Sequence, residues 1–269
     1  MKTVLYFILS GENLFHPHYF KGVLDNLPKN IYQVAGVTIL KENYKKGLPY
    51  FLWQQINLWG LTGFIYIAFH SSLRTLMARM KISKNLTIED ISKKHSIPVV
   101  FMGQVNNEEH LKYLRKFKID IIISSSGQIF KKDLLALPKI ACINRHSALL
   151  PKYGGVMPVF WAMYHGEKEF GVSVHYMVEE IDKGDIISRV RIPIEKGNSL
   201  FRNYLFAFDK SINATINALD FMSKRKIVGK FKKNDKAYFS FPNFSVIQDF
   251  KKKYIPFSLR DIFFYHKIF

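Results

Sequence analysis

Five short apolar runs, at about Val4 to Leu9, Val34 to Leu40, Pro98 to Met102, Asp120 to Ser124 and Ala141 to His146, alternate along this chain with stretches of helical periodicity. Such alternation predicts an α/β fold on a doubly wound, mostly parallel sheet, because parallel strands need crossovers and are buried on both faces. Thr87-Ile88-Glu89-Asp90 opens one helix with a capping pattern, and Asn107 to Phe117 carries Leu111, Leu114 and Phe117 on one face of another. Gly171 to Val178 and Asp185 to Ile194 read as two further strands joined by a tight loop, and Arg202 to Ser223 as a helix packed back on them. The 269 residues suffice for one α/β domain, residues 1–195, and a small helical and irregular C-terminal extension, residues 196–269.

Residues 48–80 interrupt the alternation with an inserted stretch in which Phe51, Leu52, Trp53, Ile56, Leu58, Trp59, Leu61, Phe64, Ile65, Tyr66, Ile67 and Phe69 crowd together. A mostly buried helix is the expectation. A peripheral membrane contact or a homodimer face is the alternative, since Trp and Tyr suit both and Arg74, Arg79 and Lys81 follow. Gln54, Gln55, Asn57 and two glycines weigh against a membrane span. Further on, Lys224, Arg225, Lys226, Lys230, Lys232 and Lys233 precede Ala237-Tyr238-Phe239-Ser240-Phe241-Pro242, and the tail from Lys251 to Phe269 mixes lysines with aromatics.

Forty Lys and Arg against 21 Asp and Glu give a net charge of +19, which favours anionic partners such as nucleotide diphosphates, polyglutamylated folate, tRNA or an acidic membrane surface. The single cysteine, Cys142, excludes an internal disulfide framework and a thiolate zinc cluster, and suits a reducing, cytoplasmic setting. His16 and His18 lack an accompanying carboxylate or thiolate cluster, so no metal is expected. The apolar start reads as a first buried strand rather than a signal peptide, because no small-residue cleavage site follows it.

Ile140-Ala141-Cys142-Ile143 runs straight into Asn144 and His146, so a strand would project both side chains from one face at its carboxyl end. In open α/β sheets that end is where ligands gather. Transfer of an acyl group between amines needs a donor for the developing oxyanion, a proton shuttle and a group to hold the shuttle's charge. Asn144, His146 and Asp182 have the chemistry for those three tasks.

The run from Asn144 to Gly155, with Gly171-Val172-Ser173-Val174-His175 and Ile181-Asp182-Lys183-Gly184-Asp185, resembles the formyltransferases that use 10-formyltetrahydrofolate. That family includes glycinamide ribonucleotide, methionyl-tRNA and nucleotide-sugar formyltransferases, and the resemblance covers roughly residues 1–193. It implies that Asn144, His146 and Asp182 are catalytic, with Asp185 bracing the loop. It further implies that Gly127, Gln128, Ile129 and Phe130 meet the folate, with Val178, Glu179 and Glu180 closing the other side. His175 could stand beside the site or be a core residue.

Two departures are visible: Arg145 stands where the family commonly has an apolar residue, and Ser147-Ala148 replaces the usual Pro-Ser or Ala-Ser. Glu12, in the first loop, would repel a phosphate held there, which argues against the purine-pathway substrate. The expected activity is formyl transfer from 10-formyltetrahydrofolate to a nucleotide-linked amino sugar, favoured by the segment after His146 and by the aromatic-proline stretch near Phe241. Methionyl-tRNA formylation, hydrolysis of 10-formyltetrahydrofolate and a non-catalytic scaffold are the alternatives.

Overall fold

The structure, a computed structural model, describes residues 2–41, 47–82, 85–224, 228–230 and 238–268. Arg225, Lys226, Lys232, Lys233 and Ala237 of the basic-aromatic stretch, and Phe269 of the tail, lie outside these. The strands are β1 (Thr3–Ser10), β2 (Tyr32–Leu40), β3 (Val99–Met102), β4 (Ile121–Ser125), β5 (Ala141–His146), β6 (Gly154–Gly155), β7 (Glu169–Tyr176), β8 (Ile186–Pro193) and β9 (Tyr238–Phe239). The helices are α1 (His16–Asn26), α2 (Leu48–Arg79), α3 (Ile88–Lys94), α4 (Glu108–Leu114), α5 (Lys132–Leu135), α6 (Pro158–Tyr164), α7 (Leu200–Ser223), α8 (Phe244–Lys253) and α9 (Arg260–Ile268).

Seven strands form one sheet in the order β3-β2-β1-β4-β5-β7-β8. The first five pair in parallel, and β5, β7 and β8 continue the sheet antiparallel. The chain winds outward from β1 through β2 to β3, then returns to build β4 and β5 on the other side. That reversal leaves a crevice beyond the carboxyl ends of β1 and β4, where loops part in opposite directions.

Alternation within the strands explains why both faces are covered. Leu5, Phe7 and Leu9 of β1 join one buried cluster with Tyr19, Phe20 and Val23 of α1 and Phe201, Leu205 and Phe208 of α7. Tyr6 and Ile8 point the other way, into a second cluster with Leu111 and Leu114 of α4 and Leu134 of α5. Caps set the helix starts: Thr87 Oγ1 accepts the Asp90 N–H at 3.1 Å and Asn107 Oδ1 that of His110 at 2.9 Å. The C-terminal segment adds Ile247, Phe250, Phe257 and Tyr265 to the first cluster.

The insertion is helical as expected but is not mostly buried. Among its residues only Leu58, Trp59, Gly63 and Arg74 are buried, whereas Leu61 and Phe69 are each 63% exposed. Apolar residues surround the helix on all sides, while one face suffices for its contacts with α7 and Phe257: Trp59 and Tyr66 meet Phe201 edge-on, and Gly63 abuts Phe257. Gly60, at φ 74°, interrupts the helix with a backbone conformation that favours glycine. No helix of the described residues is long and apolar enough to cross a membrane.

Candidate active site

Beyond the carboxyl ends of β1, β4 and β5 lies a cavity of about 530 Å³. The sequence-predicted site residues meet there: Asn144, His146 and Asp182 line it, as do Gly127, Gln128, Ile129 and Phe130 on one side and Val178, Glu179 and Glu180 on the other. Asp185 does not line it; its backbone carbonyl accepts the Tyr176 N–H instead.

Register brings the polar groups together. β5 pairs antiparallel with β7 so that Asn144 faces His175 and His146 faces Ser173. The β7–β8 connection then returns Asp182 over the end of β5. Gly184 permits this return, since a Cβ there would stand 1.7 Å from the Tyr176 carbonyl oxygen. Asp182 itself has φ 53°, a left-handed conformation that Asp tolerates better than most residues. Tyr153, Gly155 and Met157, which pass beneath it, also have positive φ.

The Asp182 carboxylate has three partners. Gly155 N–H donates to Oδ2 at 2.7 Å, His146 Nδ1 lies 3.7 Å from Oδ2, and His175 Nε2 lies 3.5 Å from Oδ1. Burial alone would raise its pKa, but the two imidazoles and the Gly155 N–H outweigh that and hold it well below the usual carboxylate range. Burial lowers the pKa of His146, with Asp182 and the Tyr153 carbonyl acting in the opposite sense, so the imidazole is neutral at neutral pH.

His146 Nε2 lies 2.8 Å from the Tyr153 carbonyl oxygen, which can only accept, so Nε2 carries the ring proton. Nδ1 is then the basic nitrogen, turned toward Asp182. His175 Nδ1 likewise donates to the Tyr176 carbonyl at 2.8 Å, and its Nε2 accepts from Asn144 Nδ2 at 3.3 Å. Asn144 keeps its second amide N–H for a ligand, and its buried Oδ1 has no partner among the described residues. His175 thus belongs to the site.

Two predicted folate contacts have structural partners of their own. Gln128 Oε1 accepts the Val105 N–H at 2.8 Å and Nε2 donates to the Gly103 carbonyl at 2.9 Å, tying the loops after β3 and β4 together. Phe130 is buried in the second cluster. Ile129 is exposed.

Three features of the cavity wall were not anticipated from sequence. His16 of α1 places Nε2 2.9 Å from the Ser125 carbonyl oxygen and pairs closely with Glu12. Tyr204 and Phe208 of α7 line the cavity from a remote part of the chain, and Arg145 lines it from between Asn144 and His146. Glu12 accepts the N–H groups of Leu14, Phe15 and His16 at the start of α1, so the protein's own carboxylate occupies the position where a helix N-terminus would hold a phosphate.

Among known proteins, residues 73–204 match the family model described as formyl transferase. The chain is 38% identical over 134 residues to the bifunctional polymyxin resistance protein ArnA of Wigglesworthia glossinidia brevipalpis, a stretch covering 48% of this chain and 20% of that one. It is 43% identical over 104 residues to the methionyl-tRNA formyltransferase of Halalkalibacterium halodurans, covering 38% and 33% respectively. The stretches matched therefore span well under half of these relatives' lengths. In fold, the chain is similar to the N-formyltransferase of Helicobacter canadensis solved with folinic acid and dTDP-3-aminofucose, with a TM-score of 0.57 at 16% identity over 93% of this chain and 79% of that one. The segment 73–204, which carries β5, β7, the Asp182 loop and the start of α7, is thus the part of this chain that matches the formyl transferase family.

Proposed function

We propose that this chain transfers a formyl group from 10-formyltetrahydrofolate to a primary amine, most specifically that of a nucleotide-linked amino sugar. The observation that carries the reading is the meeting of Asn144, His146 and Asp182 around one cavity whose size suits a small-molecule ligand. Asn144 Nδ2 has a second N–H beyond the one given to His175, which fits a ligand that offers an acceptor at that point.

10-Formyltetrahydrofolate supplies the activated formyl carbon. Asn144 Nδ2–H donates to the formyl oxygen as charge gathers there, and His175 Nε2 keeps the amide turned correctly. His146 is neutral with Nδ1 basic, so it accepts the proton released by the attacking amine. Asp182 stabilises the resulting imidazolium across 3.7 Å, with Gly155 N–H holding that carboxylate ionised and in place, and the imidazolium then returns its proton to N10 as the C–N10 bond breaks and tetrahydrofolate leaves. The loop from Val178 to Glu180 and the segment from Gly127 to Phe130 flank the pterin, the latter through backbone groups.

Two observations support an amino-sugar acceptor: the fold shared with the Helicobacter canadensis enzyme, and the Glu12 carboxylate that fills the α1 terminus against a phosphate. The likeness to methionyl-tRNA formyltransferases over residues of this same site supports a tRNA-borne amine as the second reading. Incubating the full chain with 10-formyltetrahydrofolate and a panel of dTDP- and UDP-linked amino sugars, alongside aminoacylated initiator tRNA, separates them. A formylated nucleotide sugar by mass spectrometry is the expected result, and formylation of the tRNA alone would overturn the sugar reading.

A further inference from the structure

The transfer described above leaves one charged side chain of the cavity wall without a task. Arg145 is only 8% exposed. Its Nε donates to Ser211 Oγ at 2.6 Å and its Nη2 to Ser147 Oγ at 2.8 Å, while its guanidinium carbon lies 3.9 Å from the centre of the Phe208 ring. Nη1 has no hydrogen-bond partner among the described residues, and no described carboxylate comes within 4.0 Å of the group. Burial lowers its pKa to about 10, so it remains a cation at neutral pH.

Two hydroxyls and an aromatic face orient a guanidinium but do not neutralise it. A buried cation with no counter-ion in contact is costly, and the cost is offset when an anion enters beside it. Glu12 favours the Arg145 cation from a distance but comes no closer than 4.0 Å, because His16 and three backbone N–H groups hold its oxygens. By filling the α1 terminus, Glu12 also removes the usual anion receptor of this kind of sheet, and among the described residues Arg145 is the one Arg or Lys that lines the cavity. The charge of Arg145 is felt at His146, its neighbour on β5, so an anion held by Arg145 lies close to the reacting amine.

Building on the formyl-transfer reading, we infer that the arm of the cavity walled by Arg145, His16, Tyr204 and Phe208 is an oxyanion receptor, in which Arg145 Nη1 binds a carboxylate or phosphate oxygen of the amine substrate. A guanidinium already fixed by Ser147, Ser211 and Phe208 loses little freedom when it binds, and discriminates against neutral amines of the same shape.

The test titrates inorganic phosphate, pyrophosphate and acetate calorimetrically into the full chain, with and without folinic acid, for wild type, Arg145→Lys and Arg145→Met. Wild type binds at least one of these anions, Arg145→Met weakens that binding at least tenfold, and Arg145→Lys, which keeps the charge but not the fork, falls between. Stronger binding of the phosphates identifies the nucleotide carrier as the source of the anion, and stronger binding of acetate identifies a carboxylate near the amine. Loss of folinic acid binding in wild type would count against formyl transfer, while the anion titration without it still decides the role of Arg145.

Equal anion affinity in wild type and Arg145→Met, or binding of none of the three anions by wild type, would overturn the inference. Should Arg145→Met fail to fold, the ¹⁵Nε–¹H resonance of Arg145 in wild type, assigned by its absence in Arg145→Lys, serves instead. A shift on adding pyrophosphate supports the receptor, and an unmoved resonance overturns it.

Discussion

Gly155 donates its N–H to Asp182 Oδ2 at 2.7 Å, the same carboxylate oxygen that stands 3.7 Å from His146 Nδ1. A backbone group of β6 therefore fixes the acid of the loop after β7, and each segment needs the other. Around this contact the backbone takes left-handed conformations at Tyr153, Gly155, Met157 and Asp182. Strain gathered at such positions is retained where surrounding structure over-determines it, and functional sites are where it collects.

Asn144→Ala removes the amide donor while leaving His146 and Asp182 in place. Loss of one oxyanion donor costs about 2.7 to 4 kcal/mol of barrier, so turnover falls by roughly a hundred- to a thousandfold with little change in folate affinity. Single-turnover rates and folinic acid titration on the same preparation check both halves. Near-wild-type turnover would remove Asn144 from the chemistry.

On the proposed mechanism, activity is expected to depend on pH through His146. Its pKa lies below 6.5 because of burial, and the neutral form is the proton acceptor, so kcat/KM holds above that value and falls as pH drops through the lowered pKa. Folding disfavours the charged imidazole, so the unfolded chain takes up the proton first and stability declines once pH falls below about 6.5. Denaturant titrations across this range, compared with His146→Gln, test the sign: the variant is expected to lose that decline. Asp182 acts in a lower window, its contribution complete above the unfolded value of 3.8 and lost with further acidification.

Gly184→Ala places a methyl group against the Tyr176 carbonyl, since a Cβ there would meet that oxygen at 1.7 Å. Overpacking of this kind costs about 1 to 3 kcal/mol, and here the strain falls on the loop that carries Asp182. A lowered Tm together with a lowered kcat is expected. An active, fully stable variant would mean that the loop has another way to close.

Glu12→Ala frees three N–H groups at the start of α1 and leaves His16 without its acid. Removal of a helix-capping side chain costs about 0.5 to 2 kcal/mol, and urea denaturation should fall within that range. The variant also vacates the α1 terminus, so binding of inorganic phosphate is expected to rise.

The sheet was legible because each central strand is apolar on both faces. Ala141 to His146 matches β5 residue for residue, since Cys142 and Ile143 fill opposite clusters before the chain turns polar. Asn144 and His146 were legible through their spacing. His175 remained open, because its place beside Asn144 depends on the β5–β7 register, which no local pattern encodes. Tyr204, Phe208 and His16 arrive from distant helices, and a helical stripe facing a cavity reads in sequence like one facing a core. The insertion misled for a related reason: hydrophobicity records what a helix could bury, and α2 has more apolar surface than the fold covers.

The central claim is that His146 takes a proton from an amine attacking a folate-borne formyl group, and it is tested most directly by following release of tetrahydrofolate from 10-formyltetrahydrofolate with and without an amino-sugar nucleotide, for wild type and His146→Gln. The account predicts release that requires the amine, and a variant that binds folinic acid as wild type does yet turns over at least a hundredfold more slowly. Release at the same rate without the amine, or unchanged turnover in His146→Gln, would contradict it.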